Sequence, residues 1–236
     1  MPAARSYDVI IVGGGPAGLF AACHLAEQTK LKVLLIEQGK PPLKRVCPIS
    51  NQGCKHCRPC NILCGVGGAG LFSDGKLNFI HKLGKTDLTQ FLEPAEATAL
   101  IEETEALFNR FGMDGQIFPT NMEAARAIRK EARKCGIDLL LIKQKHLGSD
   151  NLPRHIAAMA RHIEERGVVF HHSEVVRDIV VEQGRVAGVV TDRDRYTAPC
   201  VLLAPGRVGA EWVADITRRN GIGLSQRGIE VGVRVE

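Results

Sequence analysis

Four cysteines in one short segment have the spacing of residues that bind a metal or exchange electrons. They form the run C-x2-C-x2-C-x3-C with a fifth cysteine upstream, and the residues are Cys54, Cys57, Cys60 and Cys64, preceded by Cys47. Thiolates separated by such short gaps let one loop wrap an iron–sulfur cluster, in which Cys47 is an alternative ligand. Zinc sites usually combine ligand pairs that lie further apart. We therefore expect an iron–sulfur cluster, and a redox-active dithiol, a zinc site and inert thiols stay open as alternatives.

A second chemical signal is the glycine pattern near the N-terminus. Gly13, Gly15 and Gly18 form G-x-G-x-x-G, with Pro16 and Ala17 inside the pattern. Gly13 permits a tight turn, Gly15 lets the main chain approach a pyrophosphate, and Gly18 lets a helix pack closely on a strand. A helix that begins here presents unpaired N–H groups to phosphate oxygens. The pattern predicts a phosphate-binding turn.

The segments on both sides of this turn predict the elements that position it. Tyr7–Val12 is an apolar, β-branched run typical of a buried strand, and helical periodicity follows Gly18. A second apolar strand, Leu31–Ile36, ends beside Glu37. An acidic residue at this point accepts hydrogen bonds from ribose hydroxyls and disfavours a ribose 2′-phosphate. The strand, turn, helix, strand and acid together predict a dinucleotide site that takes FAD or NAD rather than NADP.

Composition limits the class of protein. The chain has 236 residues, of which 44% are hydrophobic, with 25 glycines and a net charge of +5. This profile favours an α/β fold, and the scattered positive charge is typical of a solvated surface. We expect no nucleic-acid partner, because no recognised module is present, and no membrane span, because no long apolar run occurs. We expect a cytoplasmic protein, since nothing at the N-terminus resembles a signal peptide.

Eight cysteines in a reducing compartment favour metal or redox chemistry over structural disulfides. We expect Cys23, Cys135 and Cys200 to pack in the core.

Periodicity predicts further elements along the chain. The predicted helices are Pro94–Phe111, Asn121–Lys134 and Asn151–Arg166, and the predicted strands are Ile137–Lys143, Val168–His171, Val175–Glu182, Arg185–Thr191 and Val201–Ala204. We expect residues 1–90 and 168–236 to form a dinucleotide-binding domain and residues 91–167 to form an inserted, mainly helical or mixed segment.

Two segments resemble known flavoproteins. DVIIVGGGPAGLFAACHLA…VLLIEQG is similar to the FAD fingerprint of glutathione-reductase-like and related two-dinucleotide flavoproteins. GVGGAGLFSDGKLN, from Gly65 to Asn78, resembles the bacterial and archaeal group of FAD-dependent dehydrogenases. The resemblance implies a Rossmann-like FAD/NAD(P)-binding βαβ fold with a β-meander. It implies an FAD-dependent oxidoreductase that acts on a small-molecule substrate, with NAD(P) as a candidate electron donor or acceptor.

The resemblance also assigns roles to residues outside the first turn. It implies that the glycine-rich segment lies against the pyrophosphate and the flavin, that a main-chain group near Val176 contacts adenine, and that the turn Ala204-Pro205-Gly206 closes beside FAD. The implied cofactor-binding residues, besides those of the first turn and Glu37, are Gln38, Arg45, Gly67, Gly68, Ala69, Gly70, Val176, Ala204 and Gly206. Asp74 and Lys76 are the candidate catalytic groups.

The resembling flavoproteins carry a C-terminal segment with a second glycine-acid motif that binds the ribityl chain. This sequence ends at GIEVGVRVE without such a motif. The alternative to an oxidoreductase is therefore a non-catalytic FAD-binding fragment or subunit that requires a C-terminal complement or a partner subunit.

Overall fold

The computed structural model describes residues 5–51, 53–84, 86–148 and 150–225. Among these residues the helices are, in chain order, α1 (Pro16–Gln28), α2 (Pro94–Arg110), α3 (Met122–Lys134), α4 (Leu152–Glu165) and α5 (Ala210–Arg219). The strands are β1 (Arg5–Ser6), β2 (Val9–Val12), β3 (Val33–Glu37), β4 (Lys76–Asn78), β5 (Lys82–Leu83), β6 (Thr86–Asp87), β7 (Ile117–Phe118), β8 (Gln144–His146), β9 (Val169–His172), β10 (Val176–Glu182), β11 (Arg185–Thr191), β12 (Arg195–Thr197) and β13 (Cys200–Leu203). The described residues form two compact units: 5–73 with 150–224, and 74–148.

A parallel sheet in the order β13-β2-β3-β9 is the centre of the first unit. Every residue of β2 and β3 is buried, which explains why both strands are continuous apolar runs rather than alternating ones. Val12 pairs with Ile36, so the phosphate turn after β2 and Glu37 at the end of β3 leave the sheet at the same edge. Parallel strands therefore bring the two predicted motifs together.

The two faces of this sheet are covered by different layers. One face packs on a second sheet in the order β1-β12-β11-β10, and this core contains Ile10 and Leu34 with Val189 and Tyr196. Side chains alternate along a strand, so the intervening residues, such as Ile11, face the helical layer on the other side. Helix α1 contacts β2 and β3 there, and α4 packs against α1.

The second unit contains a small antiparallel sheet in the order β4-β8-β7, the hairpin β5-β6, and helices α2 and α3. The buried Glu105 carboxylate on α2 binds the ammonium groups of Lys143 and Lys145 from the segment around β8. Burial alone would raise the pKa of Glu105, but these hydrogen-bonded cations hold it below its ordinary value.

Most predicted elements are present within one or two residues, but the limits of the units differ from those we expected. The chain returns to the first unit at residue 150, whereas we expected it to return at residue 168. The reason is α4, whose buried side chains at Ile156, Met159 and Ile163 form one apolar face that packs on the dinucleotide fold. The helix was predicted correctly, but its assignment to the inserted segment was wrong.

The predicted strand Ile137–Lys143 is also wrong. The strand in this region is β8, Gln144–His146, and it pairs with β4 on one side and with β7 on the other. The apolar run before it forms no strand, and Ile137 and Leu140 are exposed. Among the described residues, no helix is long and apolar enough to cross a lipid bilayer.

Candidate cofactor-binding site

The turn between β2 and α1 requires glycine at two positions. A Cβ atom at Gly18 would overlap the main-chain carbonyl oxygen of Gly13, and one at Gly13 would overlap the carbonyl oxygen of Ala204. Gly13 also has φ of +107°, which other residues rarely adopt. Ala204 is fixed by its N–H group, which donates to Val12 (2.8 Å). The predicted turns at Gly13 and at Ala204–Gly206 therefore touch each other.

Gly15 has a different environment. Its φ of −73° suits any residue, and the nearest atom to an added Cβ is the Cα atom of Gly68, 3.9 Å away. Pro16 begins α1, no side chain caps the helix, and its first turn contains no acidic residue. Uncapped N–H groups and the positive end of the helix dipole attract an anion. The missing side chain of Gly15 therefore leaves space in front of these N–H groups, where the sequence predicts a pyrophosphate.

Glu37 joins three segments of main chain at the edge of the sheet. Its carboxylate accepts hydrogen bonds from the N–H groups of Gly14 (2.7 Å), Gly39 (2.8 Å) and Gly65 (2.9 Å). The side chain is buried, with 6% of its residue surface exposed. A carboxylate has about four acceptor sites, so three N–H groups leave capacity for one ribose hydroxyl. Glu37 thus organises the site in addition to its predicted ribose contact.

We expect Glu37→Gln to lower the free energy of unfolding by about 2 kcal/mol, because an amide cannot accept on both sides and its NH₂ group would face a buried N–H donor. Urea denaturation measures this change. Glu182→Gln is the matched control, since Glu182 lies on the same unit in an exposed pair with Arg195 and should change stability by less than about 0.5 kcal/mol. Equal stability of the two variants would contradict the role given to Glu37.

Arg45 is buried and holds the loop that carries the second glycine cluster. Its guanidinium donates to the carbonyl oxygens of Asn61 (3.0 Å), Ile62 (2.7 Å), Val66 (3.0 Å) and Gly68 (2.8 Å). Burial lowers the pKa of Arg45, and the nearby Glu37 carboxylate opposes this effect. The structure therefore gives Arg45 a positioning role for residues 61–68, and its direct contact with a cofactor stays a prediction.

We expect Arg45→Lys to destabilise the protein by about 2 kcal/mol, since an ammonium group is a point donor and cannot serve carbonyls that surround a planar guanidinium. For a chain of this size the melting temperature should fall by about 4–8 °C. Arg195→Lys, at an exposed position, is the control and should leave the melting temperature nearly unchanged. If the two variants melt together, the guanidinium is not what holds the loop.

The glycine cluster Gly67, Gly68, Ala69 and Gly70 lies against the phosphate turn. The N–H group of Gly67 donates to the carbonyl oxygen of Gly14 (2.8 Å). Gly15, Gly68, Ala69 and Gly206 line one cavity of about 780 Å³. The structure therefore brings together glycines from three distant segments around one open space, and their contacts with a cofactor stay a prediction.

A neighbouring cavity of about 460 Å³ shares Glu37 and Gln38 with the first one, and Val176 lines it. Both volumes fall in the range of small-molecule and cofactor sites. Sequence reasoning missed other residues of this cavity, which are Arg177, Trp212, Asp215 and Arg219. The indole N–H group of Trp212 donates to the carbonyl oxygen of Arg177 (3.0 Å). The one available signal was Trp212 itself, the single tryptophan of the chain.

The candidate catalytic residues lie in the second unit. The Lys76 ammonium group pairs with the Asp74 carboxylate at 3.3 Å, and the Lys76 N–H group donates to the same carboxylate. Gly75 between them packs on the main chain of Gly148. The two residues form a turn with an internal ion pair, and their catalytic role stays a prediction.

The predicted metal-binding cysteines lie in one loop, but their sulfur atoms do not converge. Within the described part of the chain, no three sulfurs of Cys47, Cys54, Cys57, Cys60 and Cys64 come within 4.8 Å of one another, and each thiol is free. Burial raises the pKa of Cys64, and the Glu37 carboxylate adds to this effect. The iron–sulfur, zinc and dithiol alternatives therefore stay predictions.

Of the cysteines expected in the core, Cys23 is buried, but Cys135 and Cys200 are exposed. The prediction was wrong for these two because Cys135 follows the last residue of α3 and Cys200 begins β13, where the chain emerges from the packed layers.

Cys23 belongs to a cluster of three potential metal ligands between α1 and α4, with Glu27 and His162. The thiol lies 3.7 Å and the His162 Nε2 atom 2.6 Å from the same Glu27 oxygen. Arg166 contacts His162 Nδ1 at 3.1 Å, and because a guanidinium only donates, Nδ1 accepts and Nε2 carries the proton. His162 therefore donates to Glu27, and the cluster ties the two helices together.

The segment around the phosphate turn matches a family of known proteins. Residues 8–44 match the model of the DAO family, described as FAD dependent oxidoreductase. This match confirms the predicted FAD fingerprint. The segment covers the phosphate turn, α1, Glu37 and Gln38.

Solved structures confirm the Rossmann-like fold. The L-amino acid deaminase from Proteus vulgaris superposes with a TM-score of 0.52 at 15% identity, over 92% of this chain and 50% of its own. The glycine oxidase from Geobacillus kaustophilus gives 0.52 at 20% identity, over 94% of this chain and 60% of its own. An uncharacterized protein from Clostridium beijerinckii is 23% identical over 96% of this chain and 36% of its own length. The chain thus spans between about a third and three fifths of these relatives.

Proposed function

We propose that this chain, whose residues 8–44 match the FAD-dependent oxidoreductases, is the FAD-binding part of such an enzyme and acts on a small-molecule substrate. The observation that carries the proposal is the geometry of Gly15. It lies at an uncapped helix start, faces an open cavity and is spatially adjacent to Gly68. Among the residues that the structure describes, no packing requires glycine there, whereas a bound pyrophosphate does.

Different residues around the two neighbouring cavities bind different parts of FAD. The turn from Gly13 to Gly18 binds the pyrophosphate with its N–H groups, and Glu37 accepts a hydrogen bond from the adenosine ribose. The cavity lined by Val176 and Trp212 holds the adenine. When bound, the flavin supplies the electron transfer, and the protein orients it.

The test is the visible spectrum of the purified protein, followed by anaerobic addition of NADH or NADPH. We expect flavin absorbance bands and their bleaching by the nucleotide that donates electrons. A colourless protein that does not take up added FAD would overturn the proposal.

A non-catalytic FAD-binding subunit is the second candidate, and the observation that favours it is coverage. The chain spans only 50% and 60% of the two solved structures described above. This candidate expects FAD uptake without reduction by substrate or NAD(P)H until a C-terminal complement or partner subunit is added. If NADH or NADPH bleached the flavin bound to this chain with no complement or partner added, this candidate would be excluded.

The cysteine segment adds a second proposed redox group, an iron–sulfur cluster on Cys54, Cys57 and Cys60 with Cys64 or Cys47. The short spacing supports it, and stoichiometric iron and acid-labile sulfide in anaerobically purified protein would test it. We also propose a cytoplasmic location, since the cysteine segment proposed to hold the cluster needs a compartment that keeps its thiols reduced.

A further inference from the structure

The cysteine loop shares a wall with the cavity that we assign to adenosine. Cys57 and Cys60 line a cavity of about 410 Å³, and its other side is formed by Gln38, Val175 and Arg177. The same three residues line the cavity beside Glu37 and Trp212. A molecule that occupies the adenosine cavity therefore lies one side-chain layer from the thiols.

The loop is also connected mechanically to the phosphate site. Arg45 binds the carbonyl oxygens of Asn61 and Ile62, which lie between Cys60 and Cys64, and the same guanidinium binds the carbonyl oxygen of Gly68. Cys64 lines the larger cavity together with Gly15. The cysteine loop and the glycine cluster are therefore held by one side chain, and a displacement of one changes the other.

The thiols of this loop differ in accessibility. Cys64 is buried, whereas Cys57 and Cys60 are partly exposed and Cys54 is exposed. A small alkylating reagent can therefore reach Cys57 and Cys60 from the side of the cavity when the cavity is empty. Outside the loop, Cys135 and Cys200 are exposed thiols that do not line either cavity.

We propose that, in the protein without an iron–sulfur cluster, the loop from Cys54 to Cys64 is the outer wall of the adenosine cavity beside Glu37 and Trp212, so that a bound dinucleotide and alkylation of Cys57 or Cys60 oppose each other. The proposal rests on the proposed function and assigns the loop a control of cofactor binding. An alkyl group on either thiol takes up space at the wall of this cavity, so alkylation weakens dinucleotide binding, and a bound dinucleotide slows alkylation.

The test is timed alkylation of the full, reduced chain, prepared free of iron, with iodoacetamide, with and without saturating FAD or ADP, and mass spectrometry of each cysteine-containing peptide. We expect labelling of Cys57 and Cys60 to slow several-fold when the nucleotide is bound, while Cys135 and Cys200 keep their rates. If each of the two thiols Cys57 and Cys60 reacted at the same rate with and without the nucleotide, the proposal would be overturned. It would also be overturned if both thiols were unreactive in both conditions.

A reciprocal experiment uses two double variants. Alkylation should weaken FAD binding about tenfold in the parent protein and in Cys135→Ser/Cys200→Ser, but not in Cys57→Ser/Cys60→Ser. Emission of Trp212 reports occupancy independently of the thiols. Occupancy without protection would refute this inference and leave the proposed function intact, whereas absence of binding would refute both.

Discussion

Gly15→Ala is expected to fold like the parent protein and to lose FAD affinity by about a hundredfold, which corresponds to about 2.7 kcal/mol of binding free energy. The added methyl group has room in the protein itself, since its nearest neighbour is 3.9 Å away. It projects into the space where the pyrophosphate must approach the N–H groups of α1. The stability should stay within about 0.5 kcal/mol, because the loss of a favourable helix-cap residue is offset by the lower entropy of the unfolded chain.

A fluorescence titration with FAD and a urea denaturation without it measure the two effects separately. Gly223→Ala is the control, since no atom of the described residues lies within 4 Å of a Cβ added at Gly223, and Gly223 lines neither cavity. Unchanged FAD affinity in Gly15→Ala would show that the cofactor does not approach this turn.

Gly18→Ala should have the largest effect on stability, a loss of more than about 4 kcal/mol that leaves little folded protein. The new Cβ would overlap the carbonyl oxygen of Gly13, and that atom belongs to a turn fixed between β2 and α1. The N–H group of Gly13 donates to the carbonyl oxygen of Ile36 (2.8 Å), so the turn cannot move without breaking its contact with β3. Relief of the overlap would therefore cost strand pairing or helix packing.

The measurement for Gly18→Ala is the yield of soluble protein and its far-UV circular dichroism, in comparison with Gly15→Ala. The same substitution three residues earlier should give native spectra, which separates steric overlap from the general cost of alanine in a turn. Native stability of Gly18→Ala would mean that α1 does not pack on β2 as described.

The motif from Gly13 to Glu37 was predictable because its information is local. Each glycine acts within a few residues, and the buried strands on both sides show as continuous apolar runs. Helix α4 shows the limit of such reasoning. Its apolar face with Ile156 and Met159 predicts a helix with a partner, but periodicity does not reveal that the partner is α1, far earlier in the chain.

Contacts between distant segments account for what sequence reasoning missed at the site. Glu37 binds the N–H group of Gly65, and Arg45 binds main-chain carbonyls that any residue type could present. Trp212 reaches the cavity because α5 packs next to the strand that begins with Val176, and no local pattern relates the two. The cysteine loop has a clear spacing in sequence, yet its position beside Gln38 and Arg177 depends on the fold of the whole unit.

The central claim is that the cleft of the first unit binds the adenosine half of FAD, and the emission of Trp212 tests it most directly. Trp212 is the single tryptophan of the chain and lines the cavity with Glu37 and Val176. We predict that FAD and ADP each change its emission in a saturable manner, that ADP competes with FAD, and that Gly15→Ala weakens the response to both. FAD binding that ADP does not displace, or no response of Trp212 to either nucleotide, would contradict the account.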